Sequence, residues 1–145
     1  MSFTATNVAP TYGKQYIRFA ETFTADPAVA IGEFRAVSQG TNQGECTLPG
    51  ASPTGILGIN QAFIPLFADS PASPRLATVA TSGLLLVEVD PNPILAPIAV
   101  GTQLQVNAIG QATSAGTPVL ADGTQPTIRT VLDIGGRKMV VVSFA

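Results

Sequence analysis

Glu88 and Asp90 are the one pair of carboxylates in this chain that sits two residues apart, the spacing that puts both on one face of an extended strand. Paired carboxylates are the apparatus of glycoside hydrolysis, one as acid and the other as base or nucleophile. A plainer reading is a solvated strand end. The other acids, Glu21, Asp26, Glu33, Glu45, Asp69, Asp122 and Asp133, are scattered, and no segment has the alternating acids of a calcium loop. There is no histidine, which removes the commonest acid–base residue, the usual nucleophile triads and most zinc sites. A Ser–Lys dyad has only Lys14 and Lys138 to draw on. Cys46 is the single cysteine, so no intramolecular disulfide forms, and Glu45 beside it raises its pKa rather than activating it. Gly135-Gly136-Arg137-Lys138 places two cations after two glycines, but between strand patterns rather than ahead of a helix, so it reads as a hairpin turn and not a phosphate cradle. The chain therefore predicts no enzyme, no cofactor and no metal.

Composition narrows the partners. Only 11% of the 145 residues are charged, where an average domain has about 25%. Seven basic residues lie scattered against nine acidic ones, too few for the phosphate contacts that duplex binding requires, so no direct nucleic-acid partner is expected. The longest apolar runs, such as Leu84-Leu85-Leu86-Val87, fall far short of the ~20 residues of a membrane helix. The first residues carry no basic and apolar Sec pattern. The expectation is a protein without a membrane partner, made in the cytoplasm. With so little charge, it stays soluble by displaying Thr, Ser, Gln, Asn and Gly, or by hiding surface in an oligomer or on a partner.

The elements that must position these residues read as strands. Twelve prolines break every helical candidate, and strand-like segments recur with turn signals every 8–12 residues or so. The fold class expected is mainly β: a single-domain β-sandwich or partly open β-barrel with at most one short helix, which Asp90 to Val100 could hold. Residues 1–14 read as an extended N-terminal arm or a disordered terminus, and 15–145 as one β domain. Gln15 to Thr24 alternates, with Ile17, Phe19 and Phe23 on one face. Ala28 to Val37 reads as a strand broken near Gly32. Ser38 to Pro53 reads as a loop or two short edge strands. Gly55 to Asn60 is a short buried strand in which Gly58 marks a bulge or a close backbone approach. Asp69 to Pro74 is a rigid loop. Leu76 to Val89 is either a hairpin turning at Ser82-Gly83 or one strand with a glycine kink. Leu104 and Val106 alternate with Gln103 and Gln105 before a turn at Asn107 to Gly110. Asp122-Gly123 is another turn. Thr127 to Ile134 and Lys138 to Phe144 form a hairpin whose last strand lies centrally in a sheet or at an oligomer seam.

The ordered segments Ile56-Leu57-Gly58-Ile59, Thr81-Ser82-Gly83, Val87-Glu88-Val89, Ile98 to Val106, Gly110 and the terminal Val140-Val141-Val142 carry a resemblance. Over Ala30 to Ala145 the chain resembles the small β-rich capsid cement, or head-decoration, proteins of tailed bacteriophages. The Pro-rich insert Asp90 to Pro97 departs from their pattern. The resemblance implies a structural virion protein that binds the major capsid protein on the outer face of the head, as a homotrimer, and stabilises the shell; it would be made in the bacterial host cytoplasm. It also implies an N-terminal segment reaching onto neighbouring capsid subunits. The residues expected at the capsid are then Phe3, Asn7, Val8 and Tyr12 in the arm and Asn92, Ile94 and Leu95 in the insert. The alternative reading is another phage or surface structural module, of the tail, fibre or adhesin type. A carbohydrate-binding module would need exposed aromatics, and the chain has two Tyr, seven Phe and no Trp.

Overall fold

A computed structural model describes residues 15–50, 55–65, 75–118 and 125–144. Phe3, Asn7, Val8, Tyr12, the expected arm, the loop Asp69 to Pro74 and the turn Asp122-Gly123 lie outside the described residues. Every regular element described is a strand: β1 (Tyr16–Ala25), β2 (Ala36–Gln39), β3 (Glu45–Thr47), β4 (Gly58–Asn60), β5 (Leu76–Glu88), β6 (Gln105–Val106), β7 (Thr117–Pro118), β8 (Thr127–Ile134) and β9 (Arg137–Phe144). The mainly-β expectation holds. Seven strands form one mixed sheet in the order β1-β3-β2-β4-β5-β9-β8, and β6 and β7 pair separately. Because β1 also pairs with β5, the first five strands curl partly into a ring, without making a barrel.

The hairpin β8–β9 forms for the reason its sequence suggests. Gly135 and Gly136 both adopt positive φ, 61° and 84°, which a two-residue turn matching the strand twist demands. β9 lies between β5 and β8, so its central placement is as expected. Val140, Val142 and Phe144 are buried on one face, while Val141 and Ser143 are half-buried on the other.

β5 is a single strand with a glycine kink, which decides between the two readings of that segment. Gly83 has φ of +125°, and a methyl group on it would overlap the Tyr16 carbonyl on β1. Nearby, the β1–β5 ladder slips twice, between Ile17 and Phe19 and again between Phe19 and Ala20. These irregularities change which residues of β5 face which core. Two apolar clusters flank the strand. One gathers Ile59, Leu85, Val87, Leu104, Ile128 and Val140 with their neighbours. The other, inside the ring, gathers Ala25, Ile31, Val37, Cys46, Ala77 and Val79. Ala77 and Val79 face the ring core, but beyond the kink Leu85 and Val87 face the other one. The strand β2 likewise splits its residues, Ala36 to one cluster and Val37 to the other. Strands β2 and β5 thus form the wall between two cores, and each large side chain buried there contributes roughly 1.5–3 kcal/mol of transfer free energy.

Three local expectations change. Strands β2 and β3 are not edge strands: β2 lies between β3 and β4, and β3 between β1 and β2. Their turn is held by Glu45, a buried residue whose Oε1 accepts the Thr41 and Asn42 N–H groups at 2.9 and 3.3 Å. On β1 the alternation of Ile17, Phe19 and Phe23 does not mark a buried face. Phe23 packs against the ring core, but Ile17 and Phe19 are exposed. Between Asp90 and Val100 there is no helix. Asp90 Oδ1 accepts the Asn92 N–H at 3.0 Å and Asn92 Oδ1 accepts the Ile94 N–H at 3.2 Å, so side chains capture the backbone donors a helix would use. Gly58 does mark a close approach, since a methyl there would overlap the Ala80 carbonyl.

Candidate functional site

Glu88 ends β5, and its side chain is the centre of the charged chemistry in the described part of the chain. Arg35 Nε donates to Glu88 Oε1 at 2.7 Å, and Arg137 Nε donates to Oε2 at 3.1 Å. Arg137 also reaches Glu33 at 3.5 Å and stands 5.7 Å over the ring of Phe34. Phe34 itself adopts a left-handed backbone, φ 59°, a conformation that costs a non-glycine residue free energy. That turn delivers the Phe34 carbonyl to the Glu88 N–H at 2.9 Å, while the Glu88 carbonyl accepts the Ala112 N–H at 2.8 Å. One residue therefore ties together the 33–35 turn, the 110–113 loop and the β8–β9 hairpin. Burial pushes the Glu88 carboxyl pKa up, but the hydrogen bond and charge of Arg35, with Arg137 behind them, outweigh it and hold the pKa below the usual 4.5.

Asp90 is engaged separately. Its Oδ2 accepts Asn107 Nδ2 at 3.1 Å, and the same amide donates to Gln111 Oε1 at 3.0 Å. Asn107 Oδ1 in turn accepts the Ile109 and Gln111 N–H groups, at 3.1 and 2.9 Å, and so shapes the Asn107–Gly110 turn. The pairing of Glu88 with Asp90 suggested by their spacing is thus dissolved into two structural roles. Glu88, with its side chain 19% exposed, is an ion-paired hub rather than a solvated strand end. A carboxyl held ionised by two arginines is ill suited to act as a general acid.

Beside this hub lies an open cleft of about 680 Å³ between the Pro-rich loop and the β8–β9 turn, lined by Asp90, Asn92, Leu95 and Pro97 on one side and by Gly136 and Lys138 on the other. The structure thus brings Asn92 and Leu95 together at the cleft, and it projects Ile94 outward, 87% exposed. The loop is braced: Ser114 Oγ donates to the Ala96 carbonyl and Thr102 Oγ1 to the Ala99 carbonyl, both at 2.6 Å. Exposed apolar residues on a pinned loop make a contact surface that needs little ordering when something binds it.

Cys46 is buried in the ring core, and burial pushes its thiol up to about 11, with Glu45 adding to the rise. Among the described residues no group of three or more His, Cys, Asp and Glu side chains could hold a metal ion, and no helix is long and apolar enough to cross a membrane. The Arg35–Glu88 contact had no sequence signal, since 53 positions separate the two. The exposed apolar end of β1, with Tyr16 71% and Phe19 64% exposed, was hidden behind a pattern that normally marks burial. No protein-family model matches the chain, and no curated protein matches it.

Proposed function

We propose that this protein is a capsid cement protein, a structural virion component that binds the major capsid protein on the outer face of a phage head and stabilises the shell. The observation that carries the reading is the braced Pro-rich loop, which offers Ile94, Asn92 and Leu95 from a fixed backbone beside an open cleft. Supporting it, the acidic residues best spaced for chemistry are spent on holding the sheet together. A surface so poor in charge suits adhesion to another protein better than solvation alone. Repetition would supply the strength: a complex engaging several shell subunits at once gains roughly 10²–10⁴ in avidity over one contact. The trimer and the reaching N-terminal segment belong to the same proposal.

The test is co-sedimentation of the full chain with expanded, undecorated tailed-phage heads, followed by labelling of intact particles in the electron microscope. Saturable binding on the shell face supports the reading. Label on the tail or fibres instead supports the tail, fibre or adhesin alternative.

A further inference from the structure

Val131 on β8 and Val140 on β9 stand opposite each other and so point to the same face of the sheet. Val140 is fully buried in the core it shares with Leu85 and Val87, yet Val131 is 42% exposed. The cleft of about 680 Å³ makes the difference, because it lies over Val131. Its other wall is apolar and stiff, formed by Pro91, Pro93 and Pro97 with Leu95. The core-facing side of β8 thus runs out into a hollow. A second hollow, of about 170 Å³, adjoins it and shares Pro97, Ile98, Thr113 and Ser114, so the two form one trough rather than a closed pocket. Four charged side chains line the cleft, and three are spent within the fold. Glu88 holds Arg35 and Arg137, and Arg137 also reaches Glu33. Asp90 accepts the Asn92 N–H and the Asn107 amide. Lys138 is the fourth, and among the described residues it makes no ion pair, although Asp133 is its cross-strand neighbour. On the same rim the N–H groups of Gly135 and Gly136 meet no acceptor among the described residues.

We propose that this trough takes an extended acidic segment of the partner protein, which lays an aliphatic side chain between Val131 and Leu95 and sets a carboxylate against Lys138. Charge selects the occupant. The acids of the cleft are already neutralised or hydrogen-bonded, so an incoming cation finds no free counter-charge and meets Lys138 instead. An incoming carboxylate finds an unpaired ammonium and two unpaired backbone donors on one rim. Shape selects an extended chain, because the hollow is open and continues past Ser114. The apolar wall supplies contact area, and the charge at the rim supplies discrimination more than strength. Each engagement is therefore weak by itself, which suits a protein that binds by repetition. The proposal rests on the capsid reading only for the identity of the partner: on a phage head, the segment is an acidic loop of the major capsid protein.

The experiment is a nuclear magnetic resonance titration of the full, nitrogen-15-labelled chain with two capped peptides, Ala-Leu-Asp-Leu-Ala and its Asn counterpart. The expected result is a saturable shift of the Leu95, Gly135, Gly136 and Lys138 amides at millimolar peptide, with the Asp peptide binding at least about threefold more tightly. Lys138→Gln should remove that preference and leave the affinity for the Asn peptide unchanged, which isolates the pair as a double-mutant cycle. No shift at those amides overturns the proposal, as does equal affinity for the two peptides or a preference that survives Lys138→Gln. Should the variant fail to fold, the two peptides on the unaltered chain still decide. Sedimentation with heads separates this proposal from the capsid reading. A chain that binds heads but neither peptide sinks the proposal and spares that reading. A chain that binds the Asp peptide through Lys138 but no head does the reverse.

Discussion

Arg35 Nε and Glu88 Oε1 meet at 2.7 Å from positions 53 residues apart. The contact joins the turn before β2 to the end of β5, and Arg137 on β9 closes on the other carboxylate oxygen at 3.1 Å. Three segments that are distant in sequence are thereby fixed at one point.

Removing one member of that group should therefore be felt. Arg35→Ala leaves the mostly covered Glu88 carboxylate with one weaker partner. The expected loss is about 1–2 kcal/mol, reduced from the buried-pair range because Arg137 and solvent still reach Glu88. Chemical denaturation of the two proteins measures it. A difference near zero would remove the hub role.

The same carboxyl predicts a pH dependence. Its pKa is lower in the folded chain than the usual 4.5, so it stabilises the fold fully above that value, and the contribution disappears as pH falls through the folded pKa. Melting temperatures of the unaltered protein and Glu88→Gln should differ most at neutral pH and converge in acid. Divergence on acidification would mean the sign is wrong.

Gly83→Ala should be severe. The backbone there needs φ of +125°, and the added methyl meets the Tyr16 carbonyl across the ladder. The expected cost is at least about 3 kcal/mol, seen as loss of soluble protein or of the thermal transition. A variant that melts normally would show that β1 can move away from β5 at little cost.

Cys46 should resist thiol reagents until the chain unfolds. With its pKa pushed up to about 11, the thiolate fraction at pH 8 falls roughly a hundredfold below that of a free thiol, before burial slows access further. The labelling rate in buffer against that in denaturant checks this. Similar rates in both would place the residue outside a stable core.

Ile94→Asp separates surface from scaffold. The side chain is 87% exposed, so stability should change by no more than about 0.5 kcal/mol, while shell binding, if the loop makes the contact, should be lost. Binding at full strength would move the contact surface elsewhere on the molecule.

Where the physics is local, the sequence alone determined the outcome. Gly135-Gly136 specified the β8–β9 hairpin because few residues accept positive φ twice in succession, and the spacing of Val140, Val142 and Phe144 specified their buried face. The strand character of β1, β4 and β5 was legible for the same reason. What depended on the partner across the sheet was not. Only tertiary structure decided that Gly83 kinks one strand rather than turning a hairpin, because the determining contact is with Tyr16 on β1. It alone placed β2 and β3 inside the sheet, and left Ile17 and Phe19 uncovered despite an alternation that elsewhere marks a core. Glu88 and Asp90 show the limit most clearly. Their spacing in the chain suggested a pair, but each carboxylate goes where the fold puts its counter-charge or amide, Arg35 and Arg137 for one and Asn107 for the other. Spacing fixes which face of a strand a side chain occupies; what waits on that face is set by segments that sequence distance cannot reveal.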